Sequence, residues 1–225
     1  MYIKNKTLEF NNSLQYDYLG EIYAGDAKKV GKYKFPQLKE IQLVPNGHVK
    51  SFNYMLSTEC LNEYWFHCFC DDYQFERLWN NFYYYIPYIL KAKGFISTDF
   101  SLYRDYNDDI LIWNCYRNRV MAYACQKAGA IMIPTAGFGG ENTWGWCFDG
   151  LPHNSTVAIT TNGTLRDAEA KRLFIGGVDA MVNAISPSAI VVCGKCPEWL
   201  NSKYPNIRIV PILSYGQQWN LRGCS

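Results

Sequence analysis

The feature that most constrains this chain is a change of period after residue 50. From there on, short apolar runs alternate with stretches of helical spacing. The runs are 63–72 (EYWFHCFCDD), 94–99 (GFISTD), 130–136 (AIMIPTA), 156–163 (TVAITTNG), 188–195 (SAIVVCGK) and 206–213 (NIRIVPIL). The helical stretches between them are 74–94, 107–129 and 164–186. Apolar runs of strand length separated by helical segments are the signature of βαβ units, hence a mainly parallel sheet with right-handed crossovers. Two architectures fit. One is a compact or incomplete (β/α) barrel-like fold; the other is an open doubly wound sheet. A full eightfold barrel needs ~250 residues, and this chain has 225. No glycine fingerprint follows the first run, which favours the barrel-like form over a nucleotide-binding open sheet.

Local signals sharpen the helices. In the second, Asn107 is placed to cap, Asp108 and Asp109 suit the positive end of the dipole, and Gly129 follows as a stop. In the third, Thr164 and Asp167 are spaced like a capping box, and Leu173, Gly177, Met181 and Ala184 give one face. Pro87 should disturb the first, because proline lacks the amide donor.

Residues 1–50 read as an N-terminal arm or edge-strand segment and 51–225 as the α/β domain. The stretch YKFPQLKEIQLVPNG, broken by Pro36 and Pro45, suggests an edge strand or hairpin. The arm carries eight lysines against five acids, a local +3 within a net charge of +2. A balance so near neutral gives no footprint for non-specific nucleic-acid binding. No run reaches the ~18 apolar residues that span a bilayer. No signal core opens the chain, so the nine cysteines are expected as reduced thiols in the cytoplasm of a host cell.

In either architecture, function belongs at the C-terminal ends of the strands. Those ends carry Asp71 and Asp72; Asp99 with Ser101, Tyr103 and Arg104; Thr160, Thr161 and Asn162; and Lys195. Asp71 also suits a helix cap. Asp99 does not, because the next helix starts several residues later. Arg104 is its nearest cation, and a bidentate pair would hold the turn rigid. The glycine-rich stretch 137–150 brings Glu141 and Asp149, which with Asp99 could divide acid and base roles between carboxylates. Its spacing matches neither the dinucleotide fingerprint nor the P-loop. Asn114 and Arg117 share a helix face. Arg104, Arg117 and Lys195 are the candidate anion holders. Cys68 and Cys70, one residue apart in an apolar run, and the Cys193–Cys196 pair lack the spacing of zinc ligands. No metal is expected, and no cofactor can be named.

TDFSLYRD followed by IWNCYRNR, then CFDGLP, VAITTNG and AIVVCGK, together resemble a domain-of-unknown-function family spread through bacteria, phages and conjugative elements. The resemblance covers about 60–195. In that family the loop before CFDG carries a Trp-Gly-Asp-Glu-like string. Here it reads GFGGEN, so Glu141 keeps its acid and the preceding one is absent. The resemblance implies a protein of a mobile element, acting in replication, DNA modification or evasion of host defence. Three functions follow as expectations. The first is an enzyme on a nucleotide or nucleic-acid-derived substrate, with Asp99 and Glu141 or Asp149 in chemistry. The second is a non-catalytic inhibitor that binds a host defence protein. The third is a DNA-binding replication accessory protein. None implies a membrane partner.

Overall fold

A computed structural model describes residues 20–164, 166–214 and 217. Residues 1–19 of the arm lie outside the described part. A short helix α1 (Glu21–Ala24) and an antiparallel hairpin, β1 (Lys29–Val30) with β2 (Phe35–Pro36), open it. Pro36 sits in the hairpin, where its missing donor costs no ladder bond of a central sheet.

Seven parallel strands then follow in chain order: β3 (His48–Ser51), β4 (Tyr64–His67), β5 (Gly94–Ile96), β6 (Met132–Ile133), β7 (Thr156–Thr160), β8 (Ala189–Cys193) and β9 (Arg208–Ile212). All six expected apolar runs are strands β4 to β9. The sheet falls into a group of four and a group of three, joined where Thr135 bridges Ala158. There the Ala158 amide donates to Pro134 O (2.9 Å) and the Ala136 amide to Ala158 O (2.8 Å). β3 spans the expected domain boundary at residue 50. The described part of the arm is bonded to the body, with the Thr156 amide donating to Ile41 O and the Leu38 amide to Gly150 O, each at 2.8 Å.

The helices are α2 (Asp72–Asn80), α3 (Phe82–Lys91), α4 (Asp108–Lys127), α5 (Ala168–Ile185) and α6 (Trp199–Lys203). Alternate strand residues separate two cores, as the pleat requires. Phe66, Phe95, Met132, Val157, Ile190 and Val192 pack with helix residues such as Phe75, Val120, Phe174 and Met181. Trp65, Ile96, Ile133, Ala158, Val191 and Ile212, with Val49 and Val210, form a second cluster that contains no helix residue. The sheet face away from the helices is buried by its own strand side chains together with Phe69 and Ile41. The sheet feeds that inner cluster from all seven strands. It does not close, since among the described residues no pairing joins β9 to β3. The expected α/β fold with mainly parallel βα units is the one adopted, as parallel groups of four and three strands, and it is not a closed barrel.

Two local readings change. The first helical stretch breaks at Asn81 (φ −138°, ψ 48°), not at Pro87, which lies inside α3. Pro87 faces solvent, and the break lets Phe82, Tyr85 and Ile89 turn inward on α3. The third helix starts at Ala168, and Asp167 is itself the cap, accepting from the Ala170 amide at 2.7 Å. Its buried face is Phe174, Gly177, Val178, Met181 and Ile185. Asn107 does stand at the N-cap of α4, though its side chain makes no capping bond.

Candidate functional site

Parallel strands deliver their C-terminal ends to one rim, and a cavity of about 770 Å³ opens there. Its lining comes from the ends of β4 (Phe69, Cys70, Asp71), β5 (Asp99, Ser101 to Asp105) and β7 (Thr160, Asn162, Gly163, Thr164). The start of α5 (Arg166, Asp167, Ala170, Leu173, Phe174) and Phe138–Gly139 of the glycine-rich loop complete it.

Asp99 lies at the floor. Part of its surface meets the cavity, and protein surrounds the remainder. It carries no hydrogen bond or ion pair among the described residues. Burial, reinforced by the neighbouring Asp72 carboxylate and opposed by Arg119, lifts its pKa to about 7. Arg104 is not its partner. That guanidinium turns outward and meets Asp167 across 3.7 Å, with both side chains about half exposed. Four residues separate Asp99 from Arg104, and this turn carries the arginine away from the floor.

The turn after β5 is held from below instead. Asp72 at the start of α2 accepts from the Ser101 amide (3.0 Å) and hydroxyl (2.8 Å). Its own pKa is raised, chiefly by burial. Asn118 of α4, 3% exposed, is bonded to both backbone groups of Phe100: its Oδ1 accepts from the amide at 2.8 Å and its Nδ2 donates to the carbonyl at 3.1 Å. Asn118→Ala strands both groups. We expect a loss of about 2 kcal/mol in urea unfolding and a disordered 99–105 turn by hydrogen exchange. Unchanged exchange in that turn would rule out this support.

Glycine is required where the loops meet. A Cβ on Gly139 would come 2.7 Å from the Leu102 carbonyl, and one on Gly177 2.2 Å from the Phe138 ring. These close approaches bring the 137–150 loop against the turn after β5 and seat Phe138 on α5.

The expected site residues divide. Asp71, Asp99, Tyr103, Arg104, Thr160 and Asn162 line the cavity together. Thr161 is buried behind the wall, its hydroxyl donating to Cys193 O at 3.3 Å. Lys195 is exposed and off the lining. Asn114 and Arg117 do share a face, but it is the underside of the turn. Asn114 donates to Ser101 O (2.7 Å), while Arg117 pairs with Glu76 (3.2 Å) and lies over the Phe100 ring. Neither acid of the glycine-rich loop joins Asp99. Glu141 is exposed and bonded to Arg172 at 2.6 Å. The Asp149 carboxyl abuts Gly31 of the hairpin. Sequence reading missed Arg166, and it assigned Asp167 only to capping. It also missed Arg119, 2% exposed, which donates to the carbonyls of Asp149 (3.0 Å), Thr135 (3.4 Å) and Cys147. Nothing in the local pattern of α4 marks one arginine for burial.

The eight described cysteines are free thiols, and no cluster of metal-ligating side chains forms among the described residues. Burial raises the pKa of Cys70, on the cavity wall, to about 11, so it is a poor nucleophile at neutral pH. No described helix is long and apolar enough to cross a membrane.

Residues 27–211 match the family described as Domain of unknown function (DUF4417). Among curated proteins, the chain is similar to the Gene 1 protein of Mycobacterium phage D29, with 30% identity over 145 residues, 64% of this chain and 54% of that protein. It is also similar to the Gene 1 protein of Mycobacterium phage L5, with 28% identity over 181 residues, 80% of this chain and 79% of that protein. The chain thus spans about half the length of the D29 relative. No solved structure matches it.

Proposed function

This chain belongs to the DUF4417 family, and for it we propose an enzyme that acts on a nucleotide or nucleic-acid-derived substrate in the cavity at the C-terminal rim. One observation carries the reading. Asp99 stands at the cavity wall with no ion pair or hydrogen bond among the described residues, and burial, outweighing the field of Arg119, lifts its pKa to about 7. A carboxyl tuned this way suits general acid–base work. Arg104 and Arg166 at the mouth supply positive charge for a phosphate. Phe69, Tyr103 and Phe138 offer flat apolar surface to a base, and Thr160 and Asn162 offer hydroxyl and amide groups.

The test is turnover of nucleotide and oligonucleotide pools by the purified protein, read by mass spectrometry. Asp99→Asn should lower kcat by about 10²-fold or more with little change in KM. Arg166→Ala should raise KM about tenfold while leaving kcat near wild type. A protein that takes up ligand equally well as wild type and Asp99→Asn, and forms no product, is a binding protein, the expectation of a host-defence inhibitor.

A further inference from the structure

A second cavity of about 760 Å³ adjoins the first. Phe69, Cys70, Asp71 and Asn162 line both, so the rim is a single site with two lobes. The second lobe contains a cation that the fold leaves without an acid. Arg77 of α2 lies over the rings of Phe52 (5.2 Å) and Tyr85 (5.8 Å). Its Nη2 reaches Asn53 Oδ1 at 3.5 Å, and its Nε is buried with no acceptor. No carboxylate pairs with it among the described residues, whereas Arg104, Arg117 and Arg172 each have one. On the same lobe, Ser51 at the end of β3 is 1% exposed, and its buried hydroxyl meets only the Cys70 thiol, a weak hydrogen-bond partner. Among the described residues that line this lobe the only acid is Asp71, exposed on the shared wall and engaged by Gln74 Nε2 at 3.4 Å.

Buried polar atoms normally find partners, and the Arg77 Nε and Ser51 hydroxyl, buried on residues that line this lobe, lack one of ordinary strength among the described residues. A guanidinium stacked on rings keeps its hydrogen-bonding edge free and aligned for a planar or tetrahedral oxyanion. We propose that the second lobe is an oxyanion subsite, in which Arg77 and Ser51 bind a phosphoryl group of the substrate whose reacting part lies at Asp99. The substrate is then a phosphorylated molecule long enough to reach across Phe69 from one lobe to the other. The identity of that substrate rests on the proposed function; the oxyanion subsite does not.

Inorganic phosphate and pyrophosphate are the first probes, followed by a nucleoside and its 5′-monophosphate, each titrated by phosphorus NMR or calorimetry against the full chain. Wild type and Asp99→Asn should bind phosphate alike. Arg77→Gln should weaken phosphate and the nucleoside monophosphate by about tenfold or more and leave the bare nucleoside unchanged. Because Arg77 also packs on Phe52 and Tyr85, its variant can lose stability. Ser51→Ala removes one small hydroxyl and should weaken phosphate severalfold with an unaltered melt. Phosphate affinity retained in both variants, or no phosphate binding to wild type, overturns the subsite. Phosphate binding lost in both variants, but no gain from adding a nucleoside, leaves the subsite standing and refutes the nucleotide reading.

Discussion

Asp99→Asn is expected to make the protein more stable at pH 8 and to leave it nearly unchanged at pH 4. The sign follows from the direction of the shift. In the unfolded chain an aspartate titrates near ~3.9, and in the fold Asp99 titrates at about 7 because burial disfavours its charge. The native state therefore holds this proton more tightly. Its contribution is fully present below the unfolded value and is lost as pH rises through about 7. Above that, an ionised carboxylate sits at the cavity floor without a partner. Conversion at ~1.4 kcal/mol per pH unit, reduced for solvent in the cavity, puts the cost at about 2–4 kcal/mol. Asparagine, nearly the same shape and never charged, removes it. Denaturant unfolding at pH 4, 6 and 8 should show the two proteins together at pH 4 and apart at pH 8. Equal stability throughout would mean that Asp99 ionises as an ordinary surface acid, and the acid–base role would go with it. A group that destabilises its own fold is what a functional site retains.

Arg119→Met has the opposite sign and similar size. The arginine is buried and bonded to three backbone carbonyls that belong to β6's exit and the glycine-rich loop. Methionine fills much of the volume but strands all three acceptors. The expected loss is about 3–5 kcal/mol, or roughly 10 °C in Tm for a chain of this size. Lysine should not rescue it, since one ammonium cannot reproduce the guanidinium fork. The same change removes the positive field that opposes the rise in the Asp99 pKa, so in Arg119→Met that carboxyl should titrate higher still. A melt within 2–3 °C of wild type would show that the carbonyls find other donors.

The elements were legible where burial was complete. Runs such as Val157–Ile159 and Ala189–Cys193 are covered on both sides, one by helices and the other by the inner cluster, so their residues are apolar without interruption. β3 was not legible, because HVKS is largely half-exposed at the sheet's edge and carries a charge and a histidine. The helix break was misplaced for a related reason. Pro87 is the stronger local signal, but it faces solvent, and the inward packing of Phe82 and Tyr85 favours the break at Asn81. Asp99 stood out as an acid without a capping role. Its partner was misassigned because the nearest cation in sequence, Arg104, turns to Asp167 on another element.

By itself the sequence determined the alternation of strand and helix. Through the handedness of βαβ crossovers, it also determined that Asp71, Asp99 and Thr160 would rise to one rim. That is a matter of local period and chain chirality. Only the tertiary structure decided what each charge at the rim meets. It left Asp99 unpaired at a cavity floor, sent Glu141 to Arg172 and Arg104 to Asp167, buried Arg119 among carbonyls and left Arg77 without an acid. Those outcomes depend on side chains brought within a few ångströms from distant parts of the chain, and Coulomb and desolvation energies vary too steeply with distance and burial for sequence spacing to set them.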